Sequence, residues 1–162
     1  TIKVYSEHGK GATFKVLLPS SQKAPEVAGK DEAKETWRGC GTVLVVDDEE
    51  LICRISSQML SRLGFKVMSA TSGQAAIELF KTNKDAIVAV LLDESMPQMS
   101  GAEVYTHIRK IKPVARVIFC SGYPESDMMS RLAGMGLAGF LQKPFTVRSI
   151  GDKLRAVLEP AG

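Results

Sequence analysis

Four short apolar segments of this chain each end in a polar residue that can bind an ion or a phosphate. They are residues 43–48 (VLVVDD), 89–93 (AVLLD), 117–121 (VIFCS) and 139–144 (GFLQKP). Ligands of an open α/β sheet bind beyond the carboxyl ends of its parallel strands, so residues at four such ends converge on one site. The pattern therefore predicts a small acidic pocket for a metal ion and a phosphate at one edge of a sheet.

From residue 42 onward, short apolar runs alternate with amphipathic segments, which is typical of βαβ units. The predicted strands are 42–46, 65–69, 87–92, 116–120 and 139–141, and the predicted helices are 50–63, 73–81, 101–111, 127–133 and 146–158. Gly64 follows the first helix, and Thr71 or Ser72 can cap the second. Right-handed crossovers then predict an α/β fold with a doubly wound, five-stranded parallel sheet and helices on both faces.

Composition limits the class of protein. The 162 residues, 44% of them hydrophobic, are enough for one domain and an appendage. The net charge of +3 has no Lys/Arg run behind it, which disfavours nucleic-acid binding. No apolar run approaches the ~18 residues of a membrane span, so we expect no membrane contact by these residues. Cys40, Cys53 and Cys120 lack paired spacing and indicate free thiols in the cytoplasm.

The front of the chain predicts a separate element. Residues 2–6 and 13–18 alternate in hydrophobicity around a Gly-Lys-Gly turn, which indicates a β-hairpin. A lone hairpin is marginal in water, so we expect it to belong to a sheet whose other strands lie upstream. The chain begins without Met, which fits a piece of a longer protein. Residues 20–41 predict a linker with a short helix at 30–35.

Three aspartates stand at the predicted sheet edge. Mg²⁺ takes one or two carboxylates besides water and phosphate oxygens, and Asp48 with Asp93 meets that demand. Taken alone, the acids from Asp47 onward also suit the first turn of a helix, so that alternative stays open for them. Asp93 precedes the next predicted helix by several residues and is therefore no N-cap. Beside a metal ion, its carboxylate can attack phosphorus and form an acyl phosphate.

Two further strand ends supply a hydroxyl and an ammonium group. Ser121 can donate a hydrogen bond to a phosphoryl oxygen, although a Ser-Gly pair more often only makes a turn. Lys143 can supply positive charge to the same group, against the alternative of a solvated lysine. Pro144 follows it, and an X-Pro step after a buried strand that is cis would fix the direction of the lysine side chain.

In this order, these residues resemble the receiver domain of two-component response regulators, over residues 42–160. The matching motifs are Asp47-Asp48, Asp93-x-x-Met96-Pro97-x-Met99-x-Gly101, Ser121-Gly122 and Lys143-Pro144-Phe145. The resemblance implies a flavodoxin-like, CheY-like fold. It also implies that Asp93 accepts phosphate from a phosphohistidine, and that Asp48, Asp93 and the backbone carbonyl of Ser95 hold Mg²⁺ while Asp47 assists.

The resemblance assigns the remaining roles as well. Ser121 and Lys143 bind the phosphoryl oxygens, and Ser121 and Phe140 form a switch in which Phe140 turns inward when Ser121 moves toward phosphate. Two positions depart from the common pattern: Glu94 adds a charge after the acceptor, and Phe140 has no hydroxyl. These departures leave the lifetime of the phosphorylated state and the coupling to output open.

Residues 9–14 (GKGATF) and 17–19 (LLP) look like the last glycine box and final strand of a histidine-kinase ATP-binding domain. The resemblance implies that residues 1–19 are the incomplete end of such a domain, in a hybrid sensor histidine kinase that has a C-terminal receiver and whose remaining chain can anchor it in a membrane. We expect no ATP binding by this chain. Its expected partners are its own kinase core and a histidine phosphotransfer protein.

Two other functions compete with an active receiver. One is a degenerate receiver that docks without phosphate, which the complete set of polar strand ends disfavours. The other is an aspartyl-phosphate phosphatase of the haloacid-dehalogenase type. That family requires D-x-D after the first strand, whereas this chain has adjacent Asp47 and Asp48. Whether the chain counts as an enzyme stays open, because phosphorylation of Asp93 is a self-modification.

Overall fold

The computed structural model describes residues 1–18, 37–123 and 136–159. The chain divides into two compact units, Thr1–Glu35 and Thr36–Gly162. The helices predicted at 30–35 and 127–133 lie outside the described residues. Within the described part of the chain, no helix is both long and apolar enough to cross a membrane.

The first unit contains the predicted hairpin. Its strands are β1 (Ile2–Glu7) and β2 (Gly11–Val16), paired antiparallel. Ile2 lies opposite Val16 and Val4 opposite Phe14, so these four side chains share one face of the hairpin. All four are more than half exposed. The hairpin thus presents an exposed apolar face.

The second unit is a parallel sheet of five strands in the order β4-β3-β5-β6-β7. The strands are β3 (Thr42–Val46), β4 (Lys66–Ala70), β5 (Ile87–Asp93), β6 (Val117–Ser121) and β7 (Gly139–Gln142). The described helices are α1 (Glu50–Arg62), α2 (Gly73–Asn83), α3 (Gly101–Ile111) and α4 (Val147–Leu158). The predicted doubly wound α/β fold is confirmed.

Both faces of this sheet are buried, which explains why its strands read as continuous apolar runs. Successive strand residues point to opposite faces, so Leu44 and Val46 lie in one core cluster and Val43 and Val45 in the other. Helices α2 and α3 contribute to the first cluster, and α1 and α4 to the second. The sheet is therefore packed between two apolar layers, and Asp93 and Ser121, the buried polar residues of its strands, stand at strand ends.

The ends of the elements differ from the sequence predictions by one or two residues. Strands β5 and β6 continue through Asp93 and Ser121, so these polar residues are the last of their strands. The first helix ends at Arg62, one residue before the predicted end, and Gly64, with φ of 93°, follows it and donates its N–H to the Ser61 carbonyl. Ser72 caps α2, accepting the Ala75 N–H at 3.3 Å. Local capping chemistry was thus readable from the sequence.

The residues just before β3 pack within the second unit. The Trp37 indole N–H donates to Glu159 Oε1 at 3.0 Å, and its ring lies 5.8 Å from that of Phe65. The Gly39 N–H donates to the Leu63 carbonyl at 2.9 Å. A Cβ on Gly39 would come within 1.9 Å of the Phe65 ring, so only glycine fits there. The end of the predicted linker thus belongs to the compact unit.

Candidate functional site

The polar strand ends meet at the carboxyl edge of the sheet. Asp47 follows β3 and Asp93 ends β5, the two strands between which the chain reverses its direction of sheet building. Lys143 follows β7, and its Nζ lies 2.6 Å from Asp47 Oδ2 and 2.7 Å from Asp93 Oδ1. The long lysine side chain reaches past β6 to do so. The structure therefore brings three of the predicted side chains together, with two carboxylates in contact with one ammonium group.

Backbone hydrogen bonds hold the second oxygen of each carboxylate. Asp47 Oδ1 accepts the Glu49 N–H, and Asp93 Oδ2 accepts the Ser95 N–H, both at 3.0 Å. Each carboxylate is thus fixed by one backbone donor and by the shared ammonium group. Fixed orientation of this kind lets charged groups act on a ligand without reorganising.

Burial and charge set the protonation of the site. Asp47 is 3% exposed and Asp93 6%. Burial raises the pKa of Asp93 and the Asp47 charge adds to that rise, while the hydrogen bond and charge of Lys143 oppose it. Burial would lower the pKa of Lys143, but its hydrogen bonds and attraction to Asp47 and Asp93 outweigh burial and raise that pKa. The lysine is accordingly an ammonium ion at neutral pH.

Asp48 and Ser95 lie outside the ion-paired cluster of Asp47, Asp93 and Lys143. Both are exposed, and neither contacts Lys143 among the bonds of the described residues. In residues 1–18, 37–123 and 136–159, no three His, Cys, Asp or Glu side chains lie close enough to hold a metal ion. Mg²⁺ needs only one or two carboxylates, however, and two carboxylates already converge here on one cation. The donor set fits a divalent cation, and the role of Asp48 in it stays a prediction.

The two predicted switch residues are both buried. Ser121 is 3% exposed, and its Oγ accepts the Tyr123 N–H at 3.2 Å, so its hydroxyl makes the turn contact that was the alternative to phosphate binding. Its carbonyl accepts the Lys143 N–H at 2.7 Å. Phe140 is 4% exposed and lies in the core cluster of α2 and α3. Its ring is thus already inward, and the predicted movement stays a prediction.

The loop after Asp93 is held tightly against the strand. The Gly101 N–H donates to the Glu94 carbonyl at 3.0 Å, and Ser100 caps α3 in a capping box with Glu103. A Cβ on Gly101 would lie 2.3 Å from the Asp93 carbonyl oxygen. Only glycine lets α3 begin this close to the end of β5. The Lys143–Pro144 peptide bond is cis, as its X-Pro position had suggested.

One residue near the site was missed by sequence reasoning, which treated it as a plain thiol. The buried Cys53 Sγ donates to the Asp47 carbonyl at 3.3 Å and lies 3.7 Å from the Ala70 carbonyl oxygen. Burial raises the pKa of this thiol, and the Asp47 charge does so too. A signal was present: Cys53 stands six residues after Asp47, within the helix predicted at 50–63.

Comparisons with known proteins agree with this fold. The family model of the response regulator receiver domain matches residues 43–155. Sensor kinase CckA of Brucella abortus is 34% identical over 163 residues, covering 95% of this chain but only 17% of CckA. Chemotaxis protein CheY of Thermotoga maritima is 32% identical over 116 residues, covering 71% of this chain and 95% of that protein.

Solved structures show the same fold. A response regulator receiver domain protein from Clostridium thermocellum has a TM-score of 0.68 and 28% identity, covering 73% of this chain and 94% of that one. The receiver domain of hybrid histidine kinase CckA has a TM-score of 0.63 and 25% identity, covering 74% of this chain and all of that one. The match of the family model over most of the chain decides the assignment. This chain belongs to the response regulator receiver family of two-component signal transduction.

Proposed function

We propose that this chain accepts a phosphoryl group from a phosphohistidine onto Asp93, and that Asp48, Asp93 and the Ser95 carbonyl hold Mg²⁺ with assistance from Asp47. The observation that carries the proposal is the contact of Asp93 with Lys143 at the carboxyl edge of the sheet, 2.7 Å between charged atoms. A buried carboxylate with a fixed cation beside it suits a nucleophile that must receive an anionic group.

The chemistry needs few groups. An Asp93 carboxylate oxygen attacks phosphorus, an O–P bond forms, the N–P bond of the phosphohistidine breaks, and imidazole leaves. The Lys143 ammonium group, which contacts Asp93 Oδ1, counters the negative charge of the incoming phosphoryl oxygens. The Ser121 hydroxyl exchanges its contact with the Tyr123 N–H for one with phosphate. When bound, Mg²⁺ supplies further positive charge to the phosphoryl oxygens.

An exposed apolar stripe supports docking of the phosphate donor beside this edge. Leu51 and Ile55 lie one turn apart on α1, directly after the acidic pair, and are 56% and 38% exposed. Such a stripe suits an amphipathic helix of a partner. We assign as partners the kinase core of the parent protein and a histidine phosphotransfer protein, and we place the reaction in the cytoplasm.

The hairpin supports a hybrid kinase as the parent protein. Its apolar face of Ile2, Val4, Phe14 and Val16 suits a strand pair from the sheet of a larger domain. The similarity to sensor kinase CckA extends over 95% of this chain. We therefore propose that residues 1–19 end an ATP-binding domain, that the linker to the receiver ends before the second unit begins at Thr36, and that this chain alone binds no ATP.

The structural effect of phosphorylation would pass through β6 and β7. Ser121 and Lys143 are joined through the Lys143 N–H and the Ser121 carbonyl, and Phe140 lies on β7, three residues before Lys143. Movement of Ser121 toward phosphate would therefore act on the packing of Phe140. The degenerate receiver that docks without phosphate is the second candidate, and a test of phosphorylation separates the two.

Intact-mass spectrometry after incubation with acetyl phosphate, with and without Mg²⁺, tests this function. We expect a Mg²⁺-dependent gain of one phosphoryl group that Asp93→Asn abolishes and Asp85→Asn retains. Asp85 is a matched control because it is an exposed aspartate at the opposite edge of the sheet, before β5. Failure of the unsubstituted chain to gain mass, together with failure to bind beryllofluoride and Mg²⁺, would leave the docking receiver as the better description.

A further inference from the structure

The acidic turn between β3 and α1 carries Asp47 and Asp48 and is held from several directions. The Asp47 N–H donates to the Ala70 carbonyl at 3.2 Å, which ties it to β4. Its side chain is held by Lys143 and by the Glu49 N–H. These bonds fix Asp47 itself, but none of them fixes the peptide group that joins Asp47 to Asp48.

The Cys53 thiol supplies that missing contact. Its Sγ lies 3.3 Å from the carbonyl oxygen of Asp47, which belongs to the Asp47–Asp48 peptide group. Cys53 is 3% exposed and packs in the core cluster of α1 and α4. Its own N–H donates to the Glu49 carbonyl at 3.1 Å within α1. The thiol is therefore fixed by the helix and the core, and it can orient the peptide group that precedes Asp48.

From this geometry we infer that Cys53 is a positioning residue for the acidic turn, acting on the site through the backbone of Asp47. The inference rests on the proposed function, because Asp48 matters only if it helps to hold Mg²⁺. Hydrogen bonds to groups behind a metal ligand tune metal affinity in other proteins, where their loss costs about 10- to 100-fold. A thiol is a weak donor, so its loss should have a smaller effect.

The test removes the donor while keeping a buried apolar group. Cys53→Val lacks the thiol proton, whereas Cys53→Ser keeps a donor at the same position. Cys53→Ala gives the same test without added volume, should valine disturb the packing. Ile150→Val is the matched control, because Ile150 is fully buried in the same core cluster but lies on α4.

Two measurements separate positioning from general stability. The first is the Mg²⁺ concentration for half-maximal phosphorylation by acetyl phosphate, compared with the maximal rate at saturating Mg²⁺. We expect Cys53→Val to raise the half-saturating concentration about two- to fivefold, the equivalent of one weak hydrogen bond, with little change in maximal rate. The second, made without Mg²⁺, is amide hydrogen exchange at Glu49, whose N–H is bonded to Asp47 Oδ1. It should exchange faster in Cys53→Val.

Restoration of both values by Cys53→Ser would support the inference. It would be overturned if Cys53→Val left both values unchanged, or if Ile150→Val changed both to the same extent. The outcome is distinct from that of the proposed function. If the unsubstituted chain took up no phosphate, the proposed function would fail, and Glu49 exchange would still decide whether Cys53 holds the turn.

Discussion

Replacing Lys143 by Met would remove the only charge that the two buried carboxylates share in the described ion pairs, while keeping most of the side-chain length. Asp47 and Asp93 would then stand at the sheet edge without the ammonium group that now lies 2.6 and 2.7 Å from their oxygens. Each would retain a single backbone donor, from Glu49 and Ser95. We expect the folded state to become less stable at neutral pH.

The magnitude follows from burial. The side chains of Asp47 and Asp93 are 4% and 8% exposed, and that of Lys143 is 22% exposed. Removing one partner of a fully buried ion pair costs about 3–5 kcal/mol. Because Lys143 keeps some contact with water, we expect a loss of about 2–3 kcal/mol, a large share of the ~5–15 kcal/mol that stabilises a typical domain.

The loss should depend on pH, with a definite sign. Burial already raises the pKa of Asp93, and Lys143 is the main influence against that rise, so Lys143→Met should raise it further. A carboxyl group whose pKa is higher in the folded state stabilises that state below its unfolded pKa. This contribution is lost as pH rises through the folded pKa. The variant should therefore approach wild-type stability on acidification and differ most at neutral pH.

Urea unfolding followed by circular dichroism, at about pH 7.5 and about pH 4.5, measures both effects. Mg²⁺ should recover more stability in Lys143→Met than in the wild type, since a bound ion stabilises by mass action where positive charge is missing. Lys66→Met, at an exposed lysine of β4, is the control and should change little. A loss of the same size at both pH values, or none at either, would refute the electrostatic argument.

Two further predictions follow from close packing. Gly101→Ala should destabilise the folded chain by about 1–3 kcal/mol, because its Cβ would meet backbone atoms of Asp93 and Glu94. Gly122→Ala, with open space around it, should change stability little. Thermal unfolding compares the two variants. At about pH 8, iodoacetamide should label only Cys40 in the native chain, because Cys53 and Cys120 are buried and burial raises the pKa of Cys120 to about 12. Cys40→Ser should abolish the labelling that mass spectrometry detects, and rapid native labelling of a second thiol would contradict the burial.

The fold was predictable because its strands can be recognised in the sequence. A strand buried on both faces must be apolar throughout, so the polar residue that ends it stands out, as Asp93 and Ser121 do. The boundaries shifted by a residue because these polar residues still pair within the sheet. Asp93 lies opposite Cys120, and Ser121 opposite Gln142. A strand prediction from hydrophobicity alone therefore leaves out a buried polar residue at the strand end.

The site was predictable as a set of residues but less so as a set of contacts. Parallel strand ends share an edge, which suffices to bring Asp47, Asp93 and Lys143 together. Which donor each carboxylate oxygen accepts from depends on the loop that follows the strand, such as the turn that places the Glu49 N–H at Asp47 Oδ1. The Cys53 contact was hidden for a related reason, because a cysteine among apolar residues looks like any small core residue.

The charge of the site favours joint binding of the metal ion and the phosphoryl group that we propose for it. Two carboxylates and one ammonium give Asp47, Asp93 and Lys143 a formal sum of −1. A divalent cation alone would make this about +1, and an acyl phosphate of about −2 in place of the Asp93 charge would make it about −2. With both present the sum over these three side chains is about zero, and the charge of the exposed Asp48 stays in contact with water. Because uncompensated charge is costly at a buried site, each should bind more tightly when the other is there.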